Sequence, residues 1–181
     1  ANTAVFSVVN TVLLRPLPFP ESERLAWLAS GRDLIRKGTG GGGDDLSNIT
    51  YTVAAFEEFQ RHNQSFQQVT SYNPFLANGE FLLTGQGEPQ IVDAVLVAEN
   101  FFPTLGVEPM LGRNFLPQEC RKGGTPAVLL SHAFWQRRFA GDPAILGKAI
   151  TMDKQSFTVA GVLPPTFDFG AVFSPGTKID V

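Results

Sequence analysis

The side chains suited to acid–base, nucleophilic or metal chemistry are few in this sequence: two histidines, His62 and His132, and one cysteine, Cys120. Neither histidine has cysteines or carboxylates around it at the spacing of a metal-binding motif. Ser131 precedes His132, but adjacent residues on a helix point in different directions and cannot form a nucleophile–base pair. Ser131 is better suited to capping a helix, with His132 solvated or at the rim. The sequence therefore predicts no catalytic residue, no cofactor site and no metal site, and it indicates a protein that is not an enzyme.

A glycine-rich stretch is the nearest approach to a nucleotide-binding motif. The glycines within residues 38–43 satisfy the spacing of a dinucleotide fingerprint. That motif requires a strand before it and a helix after it, so that the phosphate meets a helix N-terminus. Here Asp44 and Asp45 follow, and their carboxylates would repel phosphate. The run Gly38–Asp45 is predicted to be a flexible loop; its two aspartates could hold a cation, but solvated carboxylates are the simpler interpretation.

The single cysteine excludes an intramolecular disulfide. This suits a cytosolic protein and equally a bacterial envelope domain large enough to be stabilised by its core. Arg121 and Lys122 follow Cys120 and could lower the pKa of its thiol. An incidental surface cysteine is the simpler interpretation.

Composition favours one globular unit and argues against nucleic acid as a partner. Hydrophobic residues make up 43% of the 181 residues and charged residues 17%. A chain of this length can bury one sizeable core, or two small lobes sharing one. The formal net charge is −3, from 14 basic and 17 acidic residues without a long run of either sign. The concentrated basic face of a nucleic-acid-binding protein is missing.

The N-terminal residues have a character of their own. Residues 1–14 are apolar and rich in small residues, too short to cross a bilayer alone and without the charged start of a signal peptide. They are predicted to form either the outer end of a membrane helix or a lead-in helix packed on the core. Residues 15–20, RPLPFP, carry three alternating prolines, which end the helix and favour an extended, stiff connector.

The rest of the chain alternates short predicted strands and short helices. A helix is expected from Thr50 or Thr52 to His62, with Val53, Phe56 and Phe59 on its inner side. Further helices are expected over 99–105, from Ser131 to Phe139, and as a single turn after Asp142. Strands are expected over 24–30, 66–72, 80–84, 90–98, 127–130, 148–152 and 157–162, with a strand also at Val181 and a loop over 109–115. Several of these strands should pair as hairpins. The pattern predicts an α+β (mixed α/β) fold of short strands, hairpins and short packed helices, and not a doubly wound parallel sheet.

The sixteen phenylalanines against two tyrosines indicate aromatic mass used for packing. The six best core candidates are Phe101, Phe102, Phe134, Trp135, Phe139 and Phe157. An aromatic residue of this kind at an outer edge could instead anchor a partner protein.

Three segments carry a resemblance to a known family. The family is that of the MacB-like (FtsX-like) permeases of the duplicated, orphan type. The exit from their first membrane helix resembles residues 1–20, ANTAVFSVVNTVLLRPLPFP. The entry into their periplasmic core resembles residues 97–115, VAENFFPTLGVEPMLGRNF. The longest match is LSHAFWQRRFAGDPAILGKAITMDKQSFTVAGVLPPTF, in which nine residues fall at family positions: Ser131, Trp135, Phe139, Asp142, Pro143, Leu146, Gly147, Gly161 and Pro164. Two features depart from the pattern. Ala140 stands where glycine is usual, and the Gly38–Asp45 loop is longer and richer in glycine.

The resemblance implies an extracytoplasmic domain of an ABC-type export permease in a bacterial inner membrane. Residues 1–14 would then be the outer end of a transmembrane helix, 15–20 the connector, and 21–181 the first part of a MacB-like periplasmic core that is expected to continue past Val181. Its role would be to transmit ATP-driven movement of membrane helices to the periplasmic side. The implied partners are the membrane, a cytoplasmic ATPase subunit, a second copy of the permease and a periplasmic adaptor protein. A free-standing envelope binding module with the same fold and no transport role is the alternative.

Overall fold

The computed structural model describes residues 19–26, 28, 52–73, 80–85, 87–121, 123–173 and 178–181. The predicted helix over 1–14, the connector before Phe19 and the Gly38–Asp45 loop lie outside these residues. Four α-helices, eight strands and two 3-10 helices (Ser22–Arg24 and Pro143–Ile145) are described. The α-helices are α1 Val53–His62, α2 Phe101–Thr104, α3 His132–Phe139 and α4 Phe169–Phe173. The strands are β1 Tyr72–Asn73, β2 Glu80–Thr84, β3 Gln90–Asp93, β4 Leu96–Val97, β5 Leu111–Gly112, β6 Ala127–Leu130, β7 Ala149–Met152 and β8 Gln155–Val162.

Six of these strands form the main sheet. Its order is β3-β2-β7-β8-β5, with β6 also paired to β8. The β6–β8 pair is parallel, and the other pairs in this sheet are antiparallel. Strands β1 and β4 form a separate two-stranded antiparallel ribbon. The predicted α+β class is therefore confirmed.

Both predicted hairpins form where turn residues permit them. Gly85 and Gly87 take positive φ values between β2 and β3. Between β7 and β8 the two turn residues Asp153 and Lys154 have φ values of 48° and 66°. Two consecutive residues with positive φ match the twist of the flanking strands, which is why such two-residue turns favour hairpins.

The predicted helix starts are confirmed at three caps. The side chains of Thr52, Ser131 and Asp142 accept hydrogen bonds from the backbone N–H groups of Ala55, Phe134 and Ala144, respectively. Each bond satisfies an N–H group that the first helical turn leaves without a partner. Local sequence therefore sets where α1, α3 and the second 3-10 helix begin.

Two apolar clusters hold the fold together. The first cluster includes Leu83, Val92, Leu130, Phe134, Trp135, Ile150 and Val159. The second includes Phe19, Phe101, Phe102, Leu105, Leu129, Ala160 and Phe169. Four of the six predicted core aromatics are therefore buried in a core, and the other two, Phe139 and Phe157, are partly buried and pack against the first cluster.

Four predicted strand or loop assignments need correction. Arg24 ends a 3-10 helix, and the described part of 24–30 joins no sheet. The predicted strand over 66–72 is reduced to Tyr72, because the preceding residues form an irregular path held by Asn63. The strand over 90–98 divides into β3 and β4, which join different sheets. The predicted loop over 109–115 contains β5, which forms through pairing with β8.

The packing predicted for α1 is also wrong in part. Val53 is 74% exposed and Phe59 42% exposed, and α1 buries no residue completely. Phe59 instead contacts Phe66, with ring centroids 6.4 Å apart. The helical period correctly placed the apolar residues on one side, but it could not show whether the fold covers that side.

Candidate functional site

The residues that could carry acid–base or metal chemistry do not meet. His62 is exposed, and its Nδ1 atom lies 3.0 Å from the carbonyl oxygen of Glu58 on its own helix. The ring of His132 packs edge-on against Trp135, with centroids 5.8 Å apart. Across the described residues, no group of three or more histidine, cysteine or acidic side chains could hold a metal ion.

Cys120 lies in surroundings that oppose a reactive thiolate. Partial burial raises the pKa of its thiol, and the nearby carboxylates of Glu99 and Glu119 raise it further. A thiol is nucleophilic mainly as the thiolate, so a raised pKa lowers its reactivity at neutral pH. The described surroundings of Cys120 therefore favour the protonated thiol, as expected for an incidental surface cysteine, and Lys122 lies outside the described residues.

The most informative arrangement is at the end of the proline-rich connector. Phe19 is only 7% exposed. Its ring stacks on Phe173 and tilts against Phe167, with centroid distances of 6.0 Å in both cases. Aromatic pairs at such distances add to the stabilisation gained from burying their apolar area. The connector is thus anchored in the second apolar cluster.

Pro20 extends this anchor by contact with a glycine. A β-carbon at Gly106 would lie 3.3 Å from the Cβ and Cγ atoms of the Pro20 ring. Gly106 ends α2 with a φ of +68°, a conformation that favours glycine. The same residue type therefore closes the helix and leaves room for the proline ring.

Rings from several elements surround this anchor. The ring centroid of Phe101 in α2 lies 5.9 Å from that of Phe169 in α4 and 5.3 Å from that of Phe102. The ring centroid of Tyr72 in β1 lies 5.4 Å from that of Phe169. Burial raises the pKa of the Tyr72 phenol above its usual value. The rings join α2, α4 and β1 into one packed unit around the anchor.

The main sheet links this unit to the first cluster. In β6, Leu129 belongs to the second cluster, whereas its neighbours Val128 and Leu130 belong to the first. In β8, Ala160 and Val159 divide between the two clusters in the same way. Successive side chains of a strand point to opposite faces, so the sheet forms a wall shared by both cores.

The anchor was not predicted from the sequence. The connector was expected to be stiff, but no packing partner was predicted for any of its residues. The available signal was Phe19 itself, a large apolar ring between two prolines. Its partners Phe167 and Phe173 are distant in the chain, and nothing in the local pattern indicates the pairing.

Together these features define a class of protein: an α+β domain in which Phe19, at the end of a proline-rich stretch, is buried in one of two apolar cores that share a sheet. Within the described residues, no helix combines the length and the apolar character needed to cross a bilayer.

The chain belongs to the MacB-like periplasmic core domain family, whose model matches residues 1–180. This is a periplasmic domain of ABC-type transporter permeases. Among solved structures, the chain is similar to the periplasmic region of MacB from Actinobacillus actinomycetemcomitans, with 18% sequence identity and a TM-score of 0.49. That similarity covers 77% of this chain and 68% of the other. No curated protein matches the sequence.

Proposed function

We propose that this domain transmits the ATP-driven movement of membrane helices to the periplasmic side of an ABC-type export permease. The observation that supports the proposal most strongly is the burial of Phe19 at the end of the connector. An anchor that could pivot freely would absorb a stroke, whereas one packed among aromatic rings passes it on as rigid-body movement. The proposal assigns no catalytic role to the domain.

The proposed setting follows the family. Residues 1–14 continue a helix of a bacterial inner membrane, a cytoplasmic ATPase subunit supplies the movement, and the permease acts as a homodimer. A periplasmic adaptor protein is the proposed receiver of the movement. The second candidate function is a free-standing envelope module that binds a partner without transport. No contact among the described residues specifically favours it.

Nucleotide-dependent movement separates the two candidates. Lys154 lies in the exposed β7–β8 turn, and a spin label attached to Lys154→Cys reports the position of the sheet. Cys120→Ser removes the one thiol of this domain, and any cysteine elsewhere in the permease is replaced in the same way. In the full permease with its ATPase, the distance between labels on two copies should change between the ATP-bound and nucleotide-free states. If the distances are identical in both states, the domain does not move with ATP and the transmission proposal fails.

A further inference from the structure

Asp180 is the one buried charged residue in the described part of the chain, with 4% exposure. Its Oδ1 atom accepts a hydrogen bond from Nη2 of Arg137 at 2.8 Å and lies 3.9 Å from Nζ of Lys178. A buried carboxylate without a cation would be strongly unfavourable, so this pairing accounts for its location.

The backbone of Asp180 binds two further elements. Its N–H group donates to the carbonyl oxygen of Asp93, at the end of β3, at 2.8 Å. Its carbonyl oxygen accepts from the N–H group of Ser131, the cap of α3, at 2.9 Å. One residue therefore connects the edge of the main sheet to both the start and the last turn of α3.

Val181 strengthens the attachment to the sheet. Its N–H group donates to the carbonyl oxygen of Asp93, and its own carbonyl oxygen accepts from the N–H group of Val95, each at 3.1 Å. Hydrogen bonds to the residues on either side of Ala94 follow the pattern of a parallel strand pair, but the contact is too short to form a strand, so the strand expected at Val181 is not among the described elements. Ile179 packs against the second cluster and Val181 against the first.

The partner of Asp180 is itself held in place. The guanidinium carbon of Arg137 lies 5.4 Å from the ring centroid of Phe134, which is 0% exposed. Arg137 is thus oriented by a cation–π contact with a ring of the first core. Because the Arg137 side chain is held in one orientation, its ion pair with Asp180 holds residues 178–181 in a fixed position beside α3.

We propose that Asp180 is a positioning residue that fastens the segment 178–181 to α3 and to the sheet, forming a latch defined by Asp180, Arg137, Ser131 and Asp93. The latch attaches residues 178–181 to both clusters through Val181 and Ile179, whereas Phe19 packs in the second cluster. Its mechanical meaning rests on the proposed function, because a fastened segment follows the rigid-body movement of the cores and an unfastened one does not. The latch can open locally while both apolar clusters remain packed, since its own contacts are few and lie at the edge of the sheet.

Amide hydrogen exchange of the full chain tests the latch. The amides of Ser131 and Val95 donate to residues 180 and 181, whereas the amide of Val159 donates to Lys148 within the central hairpin. Asp180→Asn and, separately, Arg137→Gln should accelerate exchange at Ser131 and Val95 by about tenfold and leave Val159 unchanged. Using two variants on opposite sides of the ion pair keeps the test valid if one of them does not fold.

Glu119→Gln is the matched control. Glu119 is a carboxylate of 10% exposure paired to Arg113 at 2.6 Å, compared with 5% and 2.8 Å for Asp180 and Arg137. This variant breaks a similar ion pair elsewhere and should not affect exchange at Ser131 or Val95. Unchanged exchange in both latch variants, or an equal increase at Val159, would overturn the proposal.

The exchange experiment is performed without nucleotide, so it does not depend on transport. A latch that is confirmed in a protein whose labelled sheet shows no ATP-dependent movement would refute the proposed function alone. Movement that is intact in the wild type, with no local opening in the latch variants, would refute the latch alone.

Discussion

Gly112 and Gly161 lie directly opposite each other where β5 crosses β8. A β-carbon on Gly112 would come within 2.2 Å of the carbonyl oxygen of Ala160, and one on Gly161 within 2.7 Å of that of Leu111. The obstructing atoms are backbone atoms, so they cannot move aside without displacing a strand. Glycine at both positions is therefore a requirement for the approach of β5 to the sheet.

Gly112→Ala should accordingly destabilise the domain more than a substitution at an equally strained but open glycine. Gly85 provides that comparison, because it shares the φ of +78° and a β-carbon added there would have no atom within 4 Å. Gly85→Ala should cost about 1–2 kcal/mol from backbone strain alone, and overpacking should add about 1–3 kcal/mol at Gly112. Urea denaturation of both variants measures the difference. Equal losses would contradict the steric account.

Ala140 is a residue with a side chain at a position whose backbone conformation favours glycine. It ends α3 with a φ of 51°, in the left-handed region where the family usually has glycine. Ala140→Gly should stabilise the domain by about 0.5–1 kcal/mol, since relief of strain exceeds the added freedom of the unfolded chain. Ala133→Gly, at an exposed position inside α3, should lose about 1 kcal/mol. Thermal unfolding of the two variants should therefore shift in opposite directions, and a loss at both positions would refute the prediction.

Trp135 combines burial with a polar contact. It is 6% exposed in the first cluster, and its indole N–H donates to the carbonyl oxygen of Asp142 at 3.0 Å. Trp135→Ala should cost about 3–5 kcal/mol of unfolding free energy, and Trp135→Phe a smaller amount that includes about 1 kcal/mol for the lost hydrogen bond. Chemical denaturation separates the two contributions. A Trp135→Ala variant as stable as the wild type would mean that the residue serves an interface and not the core.

Glu119 should make stability depend on acid pH. The hydrogen bonds from Arg113 hold the pKa of Glu119 below its usual value. A carboxyl group whose pKa is lower when folded contributes stability that is fully present above its unfolded pKa of about 4.3 and is lost as pH falls through the folded value. The wild type should therefore lose its advantage over Glu119→Gln between neutral and strongly acid pH. Parallel stability curves for the two proteins across that range would argue against the pairing.

The sequence was most informative where local chemistry decides the structure. Ser131 and Asp142 predicted helix starts because a cap needs only its own next residues, and the β7–β8 hairpin followed from alternation around a polar turn. Predictions were wrong where distant contacts decide. The two residues of β5 are a strand only because β8 lies beside them, and the residues before Tyr72 follow an irregular path although a strand was predicted there.

The candidate site shows the same division. The proline-rich run at residues 15–20 is visible in the sequence, and the stiff connector predicted from it stays a prediction because residues 15–18 lie outside the described part of the chain. The seat of Phe19 depends on α4, and the latch at Asp180 depends on β3 and α3. Long-range packing of this kind leaves no periodic trace in the sequence.

The most direct test of force transmission is the effect of Phe19 on the nucleotide-dependent distance between labels at Lys154→Cys in the full permease. Phe19→Ala removes the buried ring, and Phe19→Leu fills part of the volume that the ring occupied. The control Phe66→Ala removes a ring that is 39% exposed and distant from the connector in the chain. The account predicts that Phe19→Ala abolishes the distance change while ATP hydrolysis continues, that Phe19→Leu partly restores it, and that Phe66→Ala leaves it intact. A Phe19→Ala permease that is folded and shows the full distance change would contradict the central claim.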